Sequence, residues 1–503
     1  MPSNENRDRR EDGAQEKRTV HRKKRKRKRE ILTRNLGGIG AVLSLVQAAT
    51  AALFIYLLNG TGMIPWKYVM IAFAVLAALV LLVILLVSIR NKKTRIAAVV
   101  VSILMAAVQL VGSSYLFRTM NLLHSSESSY KTDYLNIVVR SDDAALEIAD
   151  TAGYEYGIVD DLSKEEKDVL LETIRRNTGT KDVSDVKYKS YSTALEAARA
   201  LMDGEVDAAV YREAYGTVLE EVMESFSADT RVVDTYEIRT EMEYESVEPG
   251  EPFNLLISGI DVKGDISQAS RSDVNIIVTI NPKTKKILMT TTPRDYYVEI
   301  PEVSYGQRDK LTHAGIYGVR NSMNALENLY GIGISDYIRI NFDSLVQLVD
   351  VLGGVDVNSE VAFDSGTNHF VKGVNHLNGE QALAFSRNRY AFEEGDVQRG
   401  KNQMLVLTAI IDKLQSPALL KNPAQVLDVI AKSMQTSITT GQITKVIAWQ
   451  LDNAHKWQID RQSVTGTGDA QKPYSMPDTE LYVMWPDEES VREASGKIRD
   501  MMR

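Results

Sequence analysis

The sequence predicts an α/β protein carried on a three-helix membrane anchor, and three observations carry that prediction. Uncharged apolar runs at 36–58, 68–89 and 96–117 are each long enough to cross a bilayer core, which takes about 20 helical residues. Beyond them, short β-rich apolar segments alternate with amphipathic helical ones, the pattern of sheets covered by helices. No cysteine occurs in 503 residues, so any part lying outside a cell must be held together by burial alone, and thiolate zinc sites are excluded.

Length suggests about three domains, and charge is unevenly shared along them. The chain carries −8, yet residues 1–35 hold 14 Lys+Arg against 6 Asp+Glu, which makes this arm +8 and the remainder −16. The run Arg22-Lys23-Lys24-Arg25-Lys26-Arg27-Lys28-Arg29 reads as a solvated, disordered tail that can touch anionic lipid. Specific nucleic-acid binding is not expected, because no helix-turn-helix or zinc pattern accompanies it. The first apolar run is too long for a cleavable signal peptide, and further spans follow it directly. Basic residues in the arm and in the second loop (Arg90, Lys92, Lys93, Arg95) place both on the cytoplasmic side, whereas the first loop has only Lys67. Three crossings then put everything after about residue 118 outside the cell, in a multi-pass plasma-membrane protein.

Residues 130–243 read as a small α/β accessory domain, with strands at 135–139 and 206–211 and helices at 163–176, 191–202 and 212–226. Its segment ALEAARALMDGEVDAAVYREAY resembles a lobe of the extracellular solute-binding proteins. A spacer or protein-contact domain is the alternative reading. Glu248-Pro249-Gly250-Glu251-Pro252 is a linker by composition. From 252 to 420 a mixed-sheet α/β domain with helices on both faces is expected. Its strands are 253–260, 274–280, 286–292, 337–342 and 354–357, and its helices 310–317, 319–329, 343–352, 379–385 and 397–414, the last N-capped by Asp396. Residues 421–503 read as a C-terminal extension of helices plus a strand at 480–484, without recognisable chemistry.

Charged residues stand at the ends of the first three strands: Asp261, Arg271, Asp273, Arg294 and Asp295. Side chains alternate with period two, so Arg271 and Asp273 share a face in extended chain. If the strands are neighbours, these groups gather at one sheet edge, a composition suited to a metal ion plus phosphate, or to ion pairs among themselves. Phe385-Ser386-Arg387-Asn388-Arg389-Tyr390 repeats the pattern, since Arg387 and Arg389 share a face when extended. Arg399 falls in the first turn of the long helix with Gln403 one turn on, and Lys310 lies in DKLTHAG. Several arginines in otherwise apolar segments converge most naturally on a polyanion such as pyrophosphate.

Taken in order, NLLISGID, SRSDVN, TPRD, KLTHAG, NFDSLVQLVDVLGGVDV, LNGEQALAFSRNRY and GDVQRGKNQ resemble the LytR-CpsA-Psr family over about residues 252–415. The three-span anchor and extra outer domain look like its capsule-associated CpsA/Wzg branch. The resemblance implies an enzyme of the Gram-positive envelope, a phosphotransferase moving a glycopolymer such as capsular polysaccharide from undecaprenyl pyrophosphate to peptidoglycan. Its partners would be that lipid-linked glycan, the peptidoglycan acceptor, the membrane and other capsule-assembly membrane proteins. Carried over by residue, Asp261 and Asp273 would hold Mg²⁺, with Mn²⁺ an alternative. Arg271, Arg294, Arg387, Arg389 and Arg399 would grip the pyrophosphate, with Lys310 and Gln403 beside them. The catalytic set would be Arg271, Asp273, Arg294, Arg387 and Arg389. Met404 departs from the family, many members of which have Arg or Gln beside Gln403. Two candidates stand for the base, Asp295 and a metal-bound oxygen, while His313 reads as structural. A membrane regulator of capsule biosynthesis or transcription, and a polyprenyl-phosphate binding module without turnover, are the competing readings.

Overall fold

Three apolar helices come first: α1 (Glu5–Gly60), α2 (Trp66–Ser88) and α3 (Lys92–His124). Their stretches Thr33–Gly60, Trp66–Ser88 and Lys92–Met120 are long and apolar enough to cross a membrane, which matches the three expected spans. The computed structural model describes residues 5–124, 130–241, 250–260, 266, 270–392, 395–415, 423–453 and 456–503. The basic arm is not the structureless tail expected: α1 extends back through it to Glu5. Lys, Arg and Glu favour helix, and no proline interrupts residues 5–60. Between α1 and α3, Thr50 Oγ1 donates to Gln109 Oε1 at 2.5 Å. Arg95 Nη1 donates to the Thr33 carbonyl at 2.5 Å and its Nε to the Val87 carbonyl at 3.0 Å, so the basic first turn of α3 is tied to the start of the first span. This compact unit comprises residues 1–125 and 444–453.

The second unit, 126–443 with 454–503, holds two larger sheets. The accessory sheet has order β3-β2-β4-β1-β5, from β1 (Tyr130–Arg140), β2 (Glu155–Val159), β3 (Lys187–Tyr191), β4 (Ala208–Arg212) and β5 (Thr230–Glu241). Its helices are α4 (Lys164–Thr178) and α5 (Ala194–Met202), then the short α6 (Gly216–Val222) and α7 (Phe226–Asp229). A Ser163/Glu166 capping box starts α4, and Gly179 at φ 71° stops it. The single helix expected over 212–226 is broken, because Ser225 takes a left-handed φ of 68°.

The central sheet has order β16-β11-β6-β7-β8-β17. Its members are β6 (Phe253–Ile260), β7 (Ser272–Asn281), β8 (Lys286–Thr292), β11 (Asp336–Ile340), β16 (Met434–Thr436) and β17 (Gln458–Ser463). The hairpin β9 (Tyr297–Glu299) and β10 (Arg308–Lys310) leads into α8 (Leu311–Ala314) and α9 (Val319–Tyr330). After α10 (Phe342–Val351) come two small hairpins, β12 (Val355–Ser359) with β15 (Gly373–Leu377) and β13 (Phe363–Ser365) with β14 (Asn368–Phe370). Then follow α11 (Gly379–Arg387), α12 (Asp396–Leu414), α13 (Pro423–Ser433) and α14 (Thr440–Asn453). Last come the hairpin β18 (Gly466–Gln471) with β19 (Leu481–Pro486), and α15 (Glu488–Met501).

Alternation along the strands builds two cores, as the expected two-faced sheet requires. Leu256, Ile277 and Leu288 pack with Met323 and Leu326 of α9 and Ile498 of α15 on one face. Leu255, Ile257, Ile276 and Met289 pack with Met404 of α12 on the other. The family departure at Met404 is thus a core position, 2% exposed. Residues 421–503 are not a separate extension. They supply both edge strands, β16 and β17, and α15. The polar sequence of β17, Gln458-Ile459-Asp460-Arg461-Gln462-Ser463, carries no apolar alternation to announce a strand; pairing in parallel with β8 makes it one.

Candidate active site

The site is built around a bulge. Gly259 pairs with Val274 but Ile260 pairs with Ser272, which leaves Asp273 as the extra residue at the start of β7. Ser272 is fully buried, bonded to Ser258 Oγ and Asn275 Oδ1 at 2.8 Å each, and this anchors the bulge while Asp273 turns outward. The bulge also breaks the regular two-residue alternation expected to join Arg271 to Asp273. Arg271 lies before the strand begins, half-buried, and outside the lining of the cleft.

Across from Asp273 the end of β8 delivers Arg294, whose Nη1 lies 2.9 Å from Asp273 Oδ2. Thr312 Oγ1 donates to the other oxygen, Oδ1, at 3.0 Å. Lys310 Nζ pairs with Asp295 Oδ1 at 2.7 Å, one residue beyond Arg294. The Lys310–His313 segment reaches these partners because Gly315 packs backbone to backbone on β7: a Cβ there would fall 2.5 Å from the Ser270 carbonyl oxygen. On the far wall, Arg399 Nη2 grips Asp396 Oδ1 at 2.7 Å. Asp396 is therefore not the cap expected; Gly395 holds that position, at φ 49°. Gly400 lets the first turn of α12 settle on β8, with Thr291 Oγ1 3.1 Å from where its Cβ would be. The cleft so formed is narrow and partly open, lined among others by Asp273, Arg294, Asp396, Arg399, Gln403 and Ser463.

Electrostatics show what this cleft lacks. Burial works against the charge on Arg294, but Asp273, Asp295 and Asp396 outweigh it and raise its pKa. Arg399 goes the other way, lowered by burial and by Arg294 and Arg389, against the pull of Asp396 and Asp273. Arg389 is thus close enough to bear on the cluster, and its Nη2 donates to Tyr390 Oη at 2.8 Å. The Arg294 Nε–H is buried without an acceptor, its nearest carboxylate being Asp295 at 3.7 Å, beyond hydrogen-bond reach. Crowded guanidiniums with an unused donor are arranged for an anion not supplied by the chain.

Arg294, Arg399, Gln403 and Asp273 are brought together as expected, with Lys310 and Arg389 at the margin. Arg387 takes a different conformation from the one expected. It ends α11 instead of lying in extended chain, is exposed, and stacks 4.0 Å from the Phe342 ring centroid. Asp261 lies outside the described residues. Sequence reasoning missed Thr312, Asp396 as a wall residue and Ser463; the i,i+3 spacing of Asp396 and Arg399 was the signal available for the second. His313 is buried, with Nδ1 2.7 Å from Asp309 Oδ1 and 2.9 Å from Ser475 Oγ, which bears out its structural reading.

A mixed α/β protein on three apolar helices, with a cation-rich cleft at its sheet edge, is the class these features define. Residues 219–490 match the LytR_cpsA_psr family, and the chain belongs to it. Among its relatives is the polyisoprenyl-teichoic acid–peptidoglycan teichoic acid transferase TagU of Bacillus cereus, 34% identical over 226 residues, 45% of this chain and 71% of the relative. The TagU of Bacillus anthracis is 37% identical over 200 residues, 40% of this chain and 65% of that one. Of solved structures, TagV of B. subtilis aligns with 27% identity and a TM-score of 0.43, over 51% of this chain and 98% of that chain.

Proposed function

We propose that this chain is a membrane-anchored phosphotransferase that moves a glycopolymer from a polyprenyl-pyrophosphate carrier to peptidoglycan in a Gram-positive envelope, with capsular polysaccharide as the cargo. The relatives named as teichoic acid transferases support the reaction class. The observation that carries it here is the pairing of Arg294 and Arg399 in one cleft, with Arg389 at its margin and the Arg294 Nε–H without an acceptor. Planar guanidiniums grip a diphosphate through paired hydrogen bonds, and a bound anion offsets the burial, and then the neighbouring arginines, that lower Arg399.

In the reaction an acceptor hydroxyl oxygen attacks the glycan-bearing phosphorus. A new P–O bond forms, the bond to the bridging oxygen breaks, and polyprenyl phosphate leaves, so the glycan ends on a phosphodiester. The hydroxyl proton passes to a carboxylate at the cleft, and Asp396, which lines it and is left out of the metal share given to Asp273 below, is placed to take it. Arginines fixed before the reaction stabilise the charge that shifts to the bridging oxygen.

Asp273 fits a share in Mg²⁺ or Mn²⁺ binding. Each of its oxygens has one hydrogen-bond partner and a lone pair to spare, and the bulge aims it into the cleft. Among the described residues no group of three or more His, Cys, Asp or Glu stands ready for a metal, so Asp273, with Asp261, would share the ion with the diphosphate, as Mg²⁺ sites commonly do. Such an ion would supply charge neutralisation at the phosphates. In this reading the N-terminal arm faces the cytoplasm and the domains after α3 face outward, supported by the bond from Arg95 in the first turn of α3 to Thr33 beside the basic arm, which gathers positive charge at one end of the anchor.

Mass spectrometry of lipid copurifying with the full chain, with and without Mg²⁺, tests the reading. Polyprenyl diphosphate is expected in the wild type and absent from the Arg294→Ala/Arg399→Ala pair. Equal retention by both would overturn it.

A further inference from the structure

One exposed ring stands beside the cleft with no part in the diphosphate cluster. Tyr482 lies on β19, where the Met484 N–H donates to the Asp295 carbonyl at 2.7 Å and Met484 bridges in parallel to Tyr296. Tyr482 comes two residues earlier, about 7 Å back along the strand, and so runs alongside Arg294. Its neighbour Val483 is fully buried while Tyr482 is 55% exposed, so alternation turns its ring out of the core. Beneath the ring is a glycine. Gly468 pairs with Met484, diagonal to Tyr482, and a Cβ on it would come 2.8 Å from the Tyr482 hydroxyl and 2.9 Å from its ring. The ring therefore rests on bare backbone on one side and meets solvent on the other. Burial, then the carboxylates of Asp295 and Asp396, push its phenol above the ordinary value. Tyr390, also exposed, differs: Arg389 already covers its ring, 4.8 Å from the centroid.

We propose that Tyr482 is a stacking platform for a pyranose ring at the mouth of the cleft. The proposal rests on the transfer reading above and deepens it. A pyranose has an apolar C–H face and a polar rim, matching a flat aromatic ring with a hydroxyl at its edge. Two sugars must come within a bond or two of the reacting phosphorus, the one linked to the diphosphate and the one bearing the attacking hydroxyl. The chemistry is the same for both, and the experiment separates them.

The test uses the full-length chain in detergent with three probes: a short isoprenoid diphosphate, the same lipid carrying one N-acetylhexosamine, and peptidoglycan fragments as acceptor. Tyr482→Ala is expected to raise the KM for one sugar-bearing probe about tenfold, while Tyr482→Phe holds it near the wild-type value. Gly468→Val, which leaves Tyr482 present but displaces its ring, is expected to copy the alanine variant. Binding of the sugar-free diphosphate should be unchanged in all three. A rise confined to the glycosylated lipid assigns the platform to the donor, and a rise confined to the acceptor assigns it to peptidoglycan. An unchanged KM for both, or an equal loss of the sugar-free lipid, overturns the platform. A wild-type chain that binds none of the lipids overturns the transfer reading beneath it.

Discussion

Thr312 and His313 are adjacent in α8, yet they serve two clusters of opposite character. Thr312 reaches Asp273 in the cleft, where Arg294, Asp273 and Arg399 side chains remain 20%, 18% and 11% exposed and a guanidinium N–H has no acceptor. His313 reaches Asp309 and Ser475, residue types that elsewhere make a nucleophilic site. Here they are sealed: His313, Asp309 and Ser475 are 1%, 0% and 2% exposed, and Asp309 also accepts the Ser475 backbone N–H at 2.8 Å. Residue type therefore does not separate chemistry from scaffolding. Unspent hydrogen-bonding capacity at a cleft does, because a fully satisfied cluster has nothing left to offer a substrate.

The comparison can be broken in four places. The largest effect is expected at Arg294→Lys, which keeps the charge but loses the planar fork; transfer should fall roughly 10²–10³-fold while thermal unfolding barely moves. A variant with near-normal transfer would remove the cleft from the reaction. Asp309→Ala should do the reverse, costing about 3 kcal/mol in denaturant unfolding by stranding buried partners, with transfer per folded molecule little changed. Loss of transfer without loss of stability would show the sealed cluster to be reactive after all. Thr312→Val removes one hydrogen bond from Asp273 and should slow transfer roughly fivefold, about 1 kcal/mol, in single-turnover kinetics. Smallest is Arg387→Ala: retention of polyprenyl diphosphate should drop less than about threefold, as for a solvent-screened charge, and less than in Arg389→Ala. Equal losses would restore Arg387 to the cluster.

Much of the fold was legible because local pattern and tertiary packing agree. The β6, β7 and β8 strands and helices α9 to α12 lie close to where apolar periodicity puts them. Departures occur where long-range contacts decide: β17 becomes a strand only against β8, and Ser225 splits a helix by a backbone angle no periodicity reveals. In the site, Asp273, Arg294 and Arg399 were readable from type and position. The bulge at Asp273 was not, since it depends on how Ser272 satisfies its hydroxyl inside the core. The backbone at Arg387 was misread for the converse reason: extended geometry was assumed for a segment whose Asn378/Gln381 capping box starts a helix.

The parallel pairing of β17 with β8 has a consequence for timing. One wall of the cleft is made by Thr291 and Arg294, and another by Ser463 and Val464, some 170 positions later in the chain. A nascent polypeptide that has already threaded its arginines into place still has a half-open groove. The groove is completed only when Ser463 and Val464 arrive with β17, so its two walls are joined by long-range pairing alone.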